Sequence, residues 1–124
     1  MADPHIQTLN TTLTSDLITT HLKTVMDPEL NVDIVSLGLV YDVSVKEVQS
    51  PGGPHPLIHI LLTLTTPGCP LAAVFEPMIK SALKPLETSH HVDTDQDVII
   101  ELTFDPPWVP DMMTAEARAE LGFD

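Results

Sequence analysis

Leu57-Ile58-His59-Ile60-Leu61-Leu62-Thr63-Leu64-Thr65-Thr66-Pro67-Gly68-Cys69-Pro70 is the stretch whose reading decides the fold. Its first nine residues place Ile58, Ile60, Leu62 and Leu64 at every second position, the period of a strand with one buried face. Thr66-Pro67-Gly68 then forms a turn. Pro70 follows as a favoured first helical residue, because its missing N–H would lack a partner there anyway. The segment therefore reads as strand, tight corner and helix.

Upstream, Ser50-Pro51-Gly52-Gly53-Pro54 is a turn region, and Val40–Val48 alternates before it. Tyr41, Val43 and Val45 fall on one face and Asp42, Ser44 and Lys46 on the other. Two strands joined by so short a connection make an antiparallel hairpin. Before them, a helix opens at Leu13 with Thr14 as N-cap, Asp16 in the first turn and Leu13 stapled against Ile18. Leu17, Ile18, Leu22 and Val25 share its apolar face, and Asp27, restricted by Pro28, is where it should end. Pro28–Gly38 reads as a loop with a short turn around Ile34–Leu37.

Downstream, the second helix is expected over about residues 70–83, with Leu71, Val74, Met78, Ala82 and Leu86 as its core face. Pro77 should kink it or split it. Residues 84–96 read as a polar connection, and Val98–Phe104 as a third strand with Val98, Ile100, Leu102 and Phe104 inward. Asp105-Pro106-Pro107-Trp108 stops that strand. A helix over about Thr114–Leu121 closes the chain, with Gly122 as its C′ residue. The order α-β-β-α-β-α implies an α+β two-layer sandwich, a three-stranded mixed sheet with its helices on one face. Residues 1–12 are expected to be a flexible tail and 13–124 a single domain.

Composition narrows the function. The 124 residues are 43% hydrophobic but only 4% aromatic, so the core is aliphatic. Five Lys and Arg against 18 Asp and Glu give a net charge of −13. Nucleic acid is bound by neutralising phosphates with cations, and five scattered basic residues make no such patch. Neither nucleic acid nor an anionic membrane is an expected partner; the acidity reads first as a well-solvated surface and second as a docking face for a basic partner protein. One cysteine, Cys69, allows no internal disulfide and fits a reducing compartment. No basic segment followed by an apolar one opens the chain, and Leu57–Leu64 is too short to span a bilayer. A cytoplasmic protein is expected.

Chemistry has few places to reside. Cys69 falls at or just before the start of the second helix, where unpaired N–H groups and the helix dipole favour a thiolate. The alternative is an inert buried cysteine, since free cysteine is among the most buried residue types. Thr65 and Thr66 can turn hydroxyls toward the same corner, although threonine is also an ordinary strand and turn residue. Asp27-Pro28-Glu29-Leu30 puts carboxylates at the expected C-terminal end of the first helix. Negative charge is unfavourable there unless something binds it; otherwise the segment is a solvated loop. Trp108 is either a lid on the core or, with Asp105, part of a binding rim. The six histidines show no metal-ligand spacing.

Three ordered motifs carry a resemblance. Asp27-Pro28-Glu29-Leu30 with Ile34-Val35-Ser36-Leu37-Gly38-Leu39-Val40-Tyr41 is the first, and Leu64–Leu71 around Cys69 is the second. Phe104–Met113 with Leu121-Gly122-Phe123 is the third. Together they resemble the SufT/PaaD-like family of iron–sulfur cluster assembly domain proteins, over roughly residues 15–123. The resemblance implies an assembly, transfer or targeting factor for client iron–sulfur proteins rather than a metabolic enzyme. Its partners would be the assembly machinery or those clients. It also implies a functional cluster of Asp27, Glu29, Leu30, Thr65, Thr66 and Cys69, with Cys69 as thiolate ligand to a transient iron–sulfur cluster. One cysteine cannot hold a cluster that needs about four ligands, so a homodimer, a partner or glutathione would supply the rest. Asn31 stands where many relatives have glycine, and the C-terminal cysteine cluster of the phenylacetate-pathway branch is missing. Two other readings stay open: an enzyme with Cys69 as nucleophile, activated by His59 or Asp27, and a protein-interaction adaptor.

Overall fold

Thr14 starts the first helix as the sequence requires: its hydroxyl oxygen accepts the Leu17 N–H at 3.1 Å, opening α1, Ser15–Leu22. The computed structural model describes residues 13–65 and 71–123. α1 buries Ile18 and Leu22. It ends at Leu22, not at Asp27. The Thr19 and Thr20 hydroxyls donate to the Ser15 and Asp16 carbonyls, and the Thr24 hydroxyl donates to the His21 carbonyl at 2.7 Å. Threonines that bond the preceding turn favour helix ends over helix interiors. The chain then reverses over Met26–Asp33 and turns again at Ile34–Gly38, where Leu37 and Leu39 N–H groups donate to the Asp33 and Ile34 carbonyls.

β1, Val40–Val48, and β2, His55–Leu62, form the antiparallel hairpin, closed where the Gly53 N–H donates to the Ser50 carbonyl at 2.9 Å. The register slips between Val40 and Asp42. This bulge at Tyr41 corrects the expected alternation: Val40, Val43 and Val45 pack on the core opposite Leu62, Ile60 and Ile58. Tyr41 instead donates its hydroxyl to the Pro106 carbonyl at 2.7 Å. β2 ends at Leu62 rather than Thr65, although Leu64 is still buried.

α2, Leu71–Ala82, continues through Pro77 as one helix. Its core face is Phe75 and Ile79, continued by Leu83, with Met78 and Ala82 at the margin. Val74, expected inside, is 41% exposed; the Leu71 side chain lies outside the described residues. The apolar positions of 71–83 fit two adjacent stripes, and Phe75, the largest fully buried side chain, takes the inner one. The connection after α2 also contains a helix that its polarity concealed: α3, Pro85–Ser89, buries Leu86, and Val92 is buried behind it.

β3, Val98–Leu102, pairs with β2 in parallel, giving the sheet order β1-β2-β3. It ends before Phe104, which packs at the core margin, and Leu102 is 39% exposed instead of inward. A 3₁₀ turn, Pro110–Met112, leads to α4, Ala115–Leu121. Thr114 caps its start. Gly122 at φ 83° closes its end, with the Phe123 N–H donating to the Arg118 carbonyl at 2.8 Å. Helices and loops cover the sheet face carrying Ile58, Ile60 and Leu62, which makes the α+β arrangement expected from the sequence.

Two consequences are measurable. Gly38 has φ 79°, and a Cβ there would collide with the Met112 carbonyl oxygen and lie 2.9 Å from the Met112 Cβ. Gly38→Ala should therefore cost about 2–4 kcal/mol in urea unfolding. The buried Thr94 hydroxyl donates to Glu87 at 2.7 Å and holds its carboxyl below its ordinary pKa. A lowered carboxyl pKa adds stability above the ordinary value, lost as pH falls through the lowered one. Thr94→Val should raise the Glu87 titration midpoint toward the ordinary value in an NMR titration.

Candidate functional site

Asp27 is 1% exposed, and its burial has a structural cause. Its Oδ1 accepts the Glu29 N–H at 2.8 Å and the Leu30 N–H at 2.9 Å. Its own N–H donates to the Val32 carbonyl, and its carbonyl accepts the Asn31 N–H at 2.8 Å. Because α1 has already ended at Leu22, this carboxylate does not face a helix C-terminus, and the expected dipole conflict does not arise. Two main-chain donors compensate the buried charge instead. Asp27 thus closes the loop on itself, leaving Glu29 exposed to solvent and Leu30 packed at the core margin. Asn31 has φ 59°, a left-handed conformation that glycine and asparagine adopt most readily. Asparagine is therefore compatible with the conformation this loop requires.

The closing segment reaches the turn that follows this loop. Trp108 Nε1 donates to the Leu37 carbonyl at 2.7 Å, and the Thr114 N–H donates to the Ser36 carbonyl at 2.9 Å. Trp108 is half-buried against the core, so it behaves as a lid with a polar clasp, while Asp105 is exposed beside it in sequence. From the other side, the Thr63 N–H donates to the Leu39 carbonyl at 2.8 Å. Residues 36–41 are therefore the place where the opening motif, the end of β2 and the closing motif meet. Thr65, two residues further on, is half-buried. Thr66 and Cys69 lie outside the described residues.

Thr63 was not apparent as a site residue. It is fully buried, and its hydroxyl has no hydrogen-bond partner among the described residues. Alternation with Leu62 and Leu64 assigns it to the face opposite the core, yet its side chain is buried, and its N–H is bonded to the Leu39 carbonyl. Beside the acidic loop, Met26, Asn31, Asp33, Glu116 and Glu120 line a cavity of about 300 Å³ with an acidic rim. His59 Nε2 is bonded to Glu101 Oε1 at 2.8 Å on the sheet. Among the described residues, no three His, Asp or Glu side chains converge to hold a metal ion, and no helix is long and apolar enough to cross a membrane.

A mixed three-stranded sheet covered by helices, with a self-closed acidic loop next to a turn that gathers the end of β2 and the closing segment, defines a small α+β assembly-type domain. Residues 15–94 match the model of the iron–sulfur cluster assembly protein family, and the chain belongs to that family. It is 42% identical over 101 residues to the Fe-S protein maturation auxiliary factor YitW of Bacillus subtilis, covering 82% of this chain and 86% of that one. It is 35% identical to the Fe-S protein maturation auxiliary factor SufT of Staphylococcus aureus, over 79% of this chain and 97% of the relative. The crystal structure of a domain of unknown function from Bacillus anthracis has the same fold. It superposes with a TM-score of 0.72 at 31% identity, covering 89% of this chain and 92% of the other.

Asp27→Ala leaves two main-chain donors without their acceptor and should lower stability by about 1–3 kcal/mol. Asp27→Asn keeps an oxygen in place and should stay within about 1 kcal/mol of the parent. Hydrogen exchange at the Glu29 and Leu30 amides should accelerate in the first variant and remain slow in the second.

Proposed function

We propose that the protein helps mature iron–sulfur proteins, receiving or passing a cluster as cargo through Cys69. The family match over residues 15–94 carries this reading, because it spans both the Asp27–Leu30 loop and the segment that contains Cys69. The names of the B. subtilis and S. aureus relatives, maturation auxiliary factors, support the same role. Cys69 acts as thiolate ligand or exchange residue. Thr65 and Thr66 orient its segment, and Glu29 offers an exposed carboxylate to the partner. Asp27 contributes by holding the loop that presents Glu29 and Leu30, while Asp105 and the exposed side of Trp108, whose other side closes the core, form a rim. A cluster on one thiolate needs further ligands, supplied by a second copy, a partner protein or glutathione. The partners are the assembly machinery or client proteins, and the setting is the cytoplasm, where thiols stay reduced.

A nucleophilic enzyme is the weaker reading. A base for the thiol would have to be His59 or Asp27, and Glu101 engages the first while main-chain amides engage the second. A pure adaptor would make the acidic surface, with a net charge of −13, the whole of the function.

Anaerobic reconstitution with iron and sulfide separates these readings. The parent chain should acquire the visible absorption of a bound cluster and speed the activation of an apo client, and Cys69→Ala should do neither. Equal client maturation by both proteins would remove Cys69 from the mechanism and leave the adaptor.

A further inference from the structure

The two edges of the sheet are unlike. β1 carries the bulge at Tyr41 and the charged residues Asp42, Lys46 and Glu47, features that discourage pairing with another chain. β3 has no proline, lysine or bulge. The Ile58 N–H donates to the Asp97 carbonyl at 2.7 Å, and the Thr103 N–H donates to the Leu62 carbonyl at 2.9 Å. With the parallel register running from Ile58↔Val98 to Leu62↔Leu102, this phase commits the main-chain groups of Ile99 and Glu101 to β2. The N–H and C=O groups of Val98, Ile100 and Leu102 therefore point away from the sheet. None of them has a partner among the described residues. Beyond Leu102 the chain crosses toward β1, where Pro106 meets Tyr41 and Trp108 meets Leu37, so these residues do not return along the β3 edge.

Charge selects the occupant. Between Asp93 and Asp105 there are five acidic residues and no lysine or arginine. Asp93, Asp95, Glu101 and Asp105 are exposed, and Ile99, at 45% exposure, and Leu102 supply apolar surface between them. A second copy would set one acidic row against another, and like charges across paired strands destabilise the pairing. We propose that β3 accepts an extended lysine- or arginine-rich segment of a partner protein as a fourth strand. Main-chain bonds to Val98, Ile100 and Leu102 supply the affinity. The acidic residues at both ends and at Glu101 supply the selectivity. This surface goes beyond the cluster-transfer reading and does not require Cys69.

The test uses the full chain, ¹⁵N-labelled, and the capped peptide Lys-Val-Lys-Val-Lys-Val-Lys. Its controls are the same peptide with Glu for Lys and versions N-methylated at either set of alternate residues. The lysine peptide should slow hydrogen exchange at the Val98, Ile100 and Leu102 amides by about ten-fold or more, the signature of new main-chain bonds. The glutamate peptide should bind at least about ten-fold more weakly, and one N-methylated series should not bind. Leu102→Pro removes an outward N–H while sparing the bonds to β2, and should abolish binding. The N-methylated peptides test the same bonds on the parent chain whether or not that variant folds. Cys69→Ala should bind the lysine peptide as the parent does, so loss of cluster transfer and loss of strand docking are separate results. Equal binding of both charged peptides, or perturbation away from β3, overturns the proposal. So does concentration-dependent protection of these amides without peptide, which would assign the edge to a second copy.

Discussion

β2 is paired on both sides, antiparallel to β1 and parallel to β3, while Ile58, Ile60 and Leu62 are buried on its covered face. The antiparallel partner needs only a turn. The parallel partner requires the chain to travel back along the whole sheet before it can pair again, and α2 and α3 make that journey. The crossover must also cover the apolar face of β2, so Phe75, Ile79, Leu83 and Leu86 become the lid of the core. The segment containing Cys69 joins the end of this strand to the start of that crossover. The position of the cysteine in the chain is thus tied to the most constrained strand in the molecule.

Around the same end of the sheet, residues 36–41 collect contacts from distant parts of the chain. The carbonyls of Ser36, Leu37 and Leu39 accept from Thr114, Trp108 and Thr63 respectively. Gly38 allows the Met112 main chain to approach so closely that no side chain would fit. Main-chain carbonyls act as the hub because they are obligatory acceptors, and loops buried together must satisfy one another. The acidic loop is stabilised differently. It folds locally on the Asp27 carboxylate, which accepts the Glu29 and Leu30 N–H groups and leaves Glu29 exposed to solvent.

Much of this architecture is legible in the sequence. The hairpin, the Thr14 cap, the Gly122 stop and the third strand itself follow from patterns spanning a few residues. The errors share a cause. The α2 core face departs from the expected stripe because two apolar faces compete between residues 71 and 83, and only packing against the sheet chooses between them. Tyr41 leaves the face that alternation predicts because a bulge adds one residue to a two-residue period, a shift that alternation cannot reveal. α1 ends early because its threonines bond the preceding turn, which overrides the pattern running on to Val25.

The sequence by itself determined the succession of the three strands and their main helices, the family motifs and which residues are candidates, since each of these is encoded in neighbours along the chain. Only the tertiary structure decided that Asp27 is buried and bound by its own loop, that Thr63 is buried, and that the outward main-chain groups of β3 have no partner among the described residues. Those outcomes depend on which distant segment arrives to cover a group or fails to arrive. Proximity in space is settled by packing the whole chain, and no local period records it.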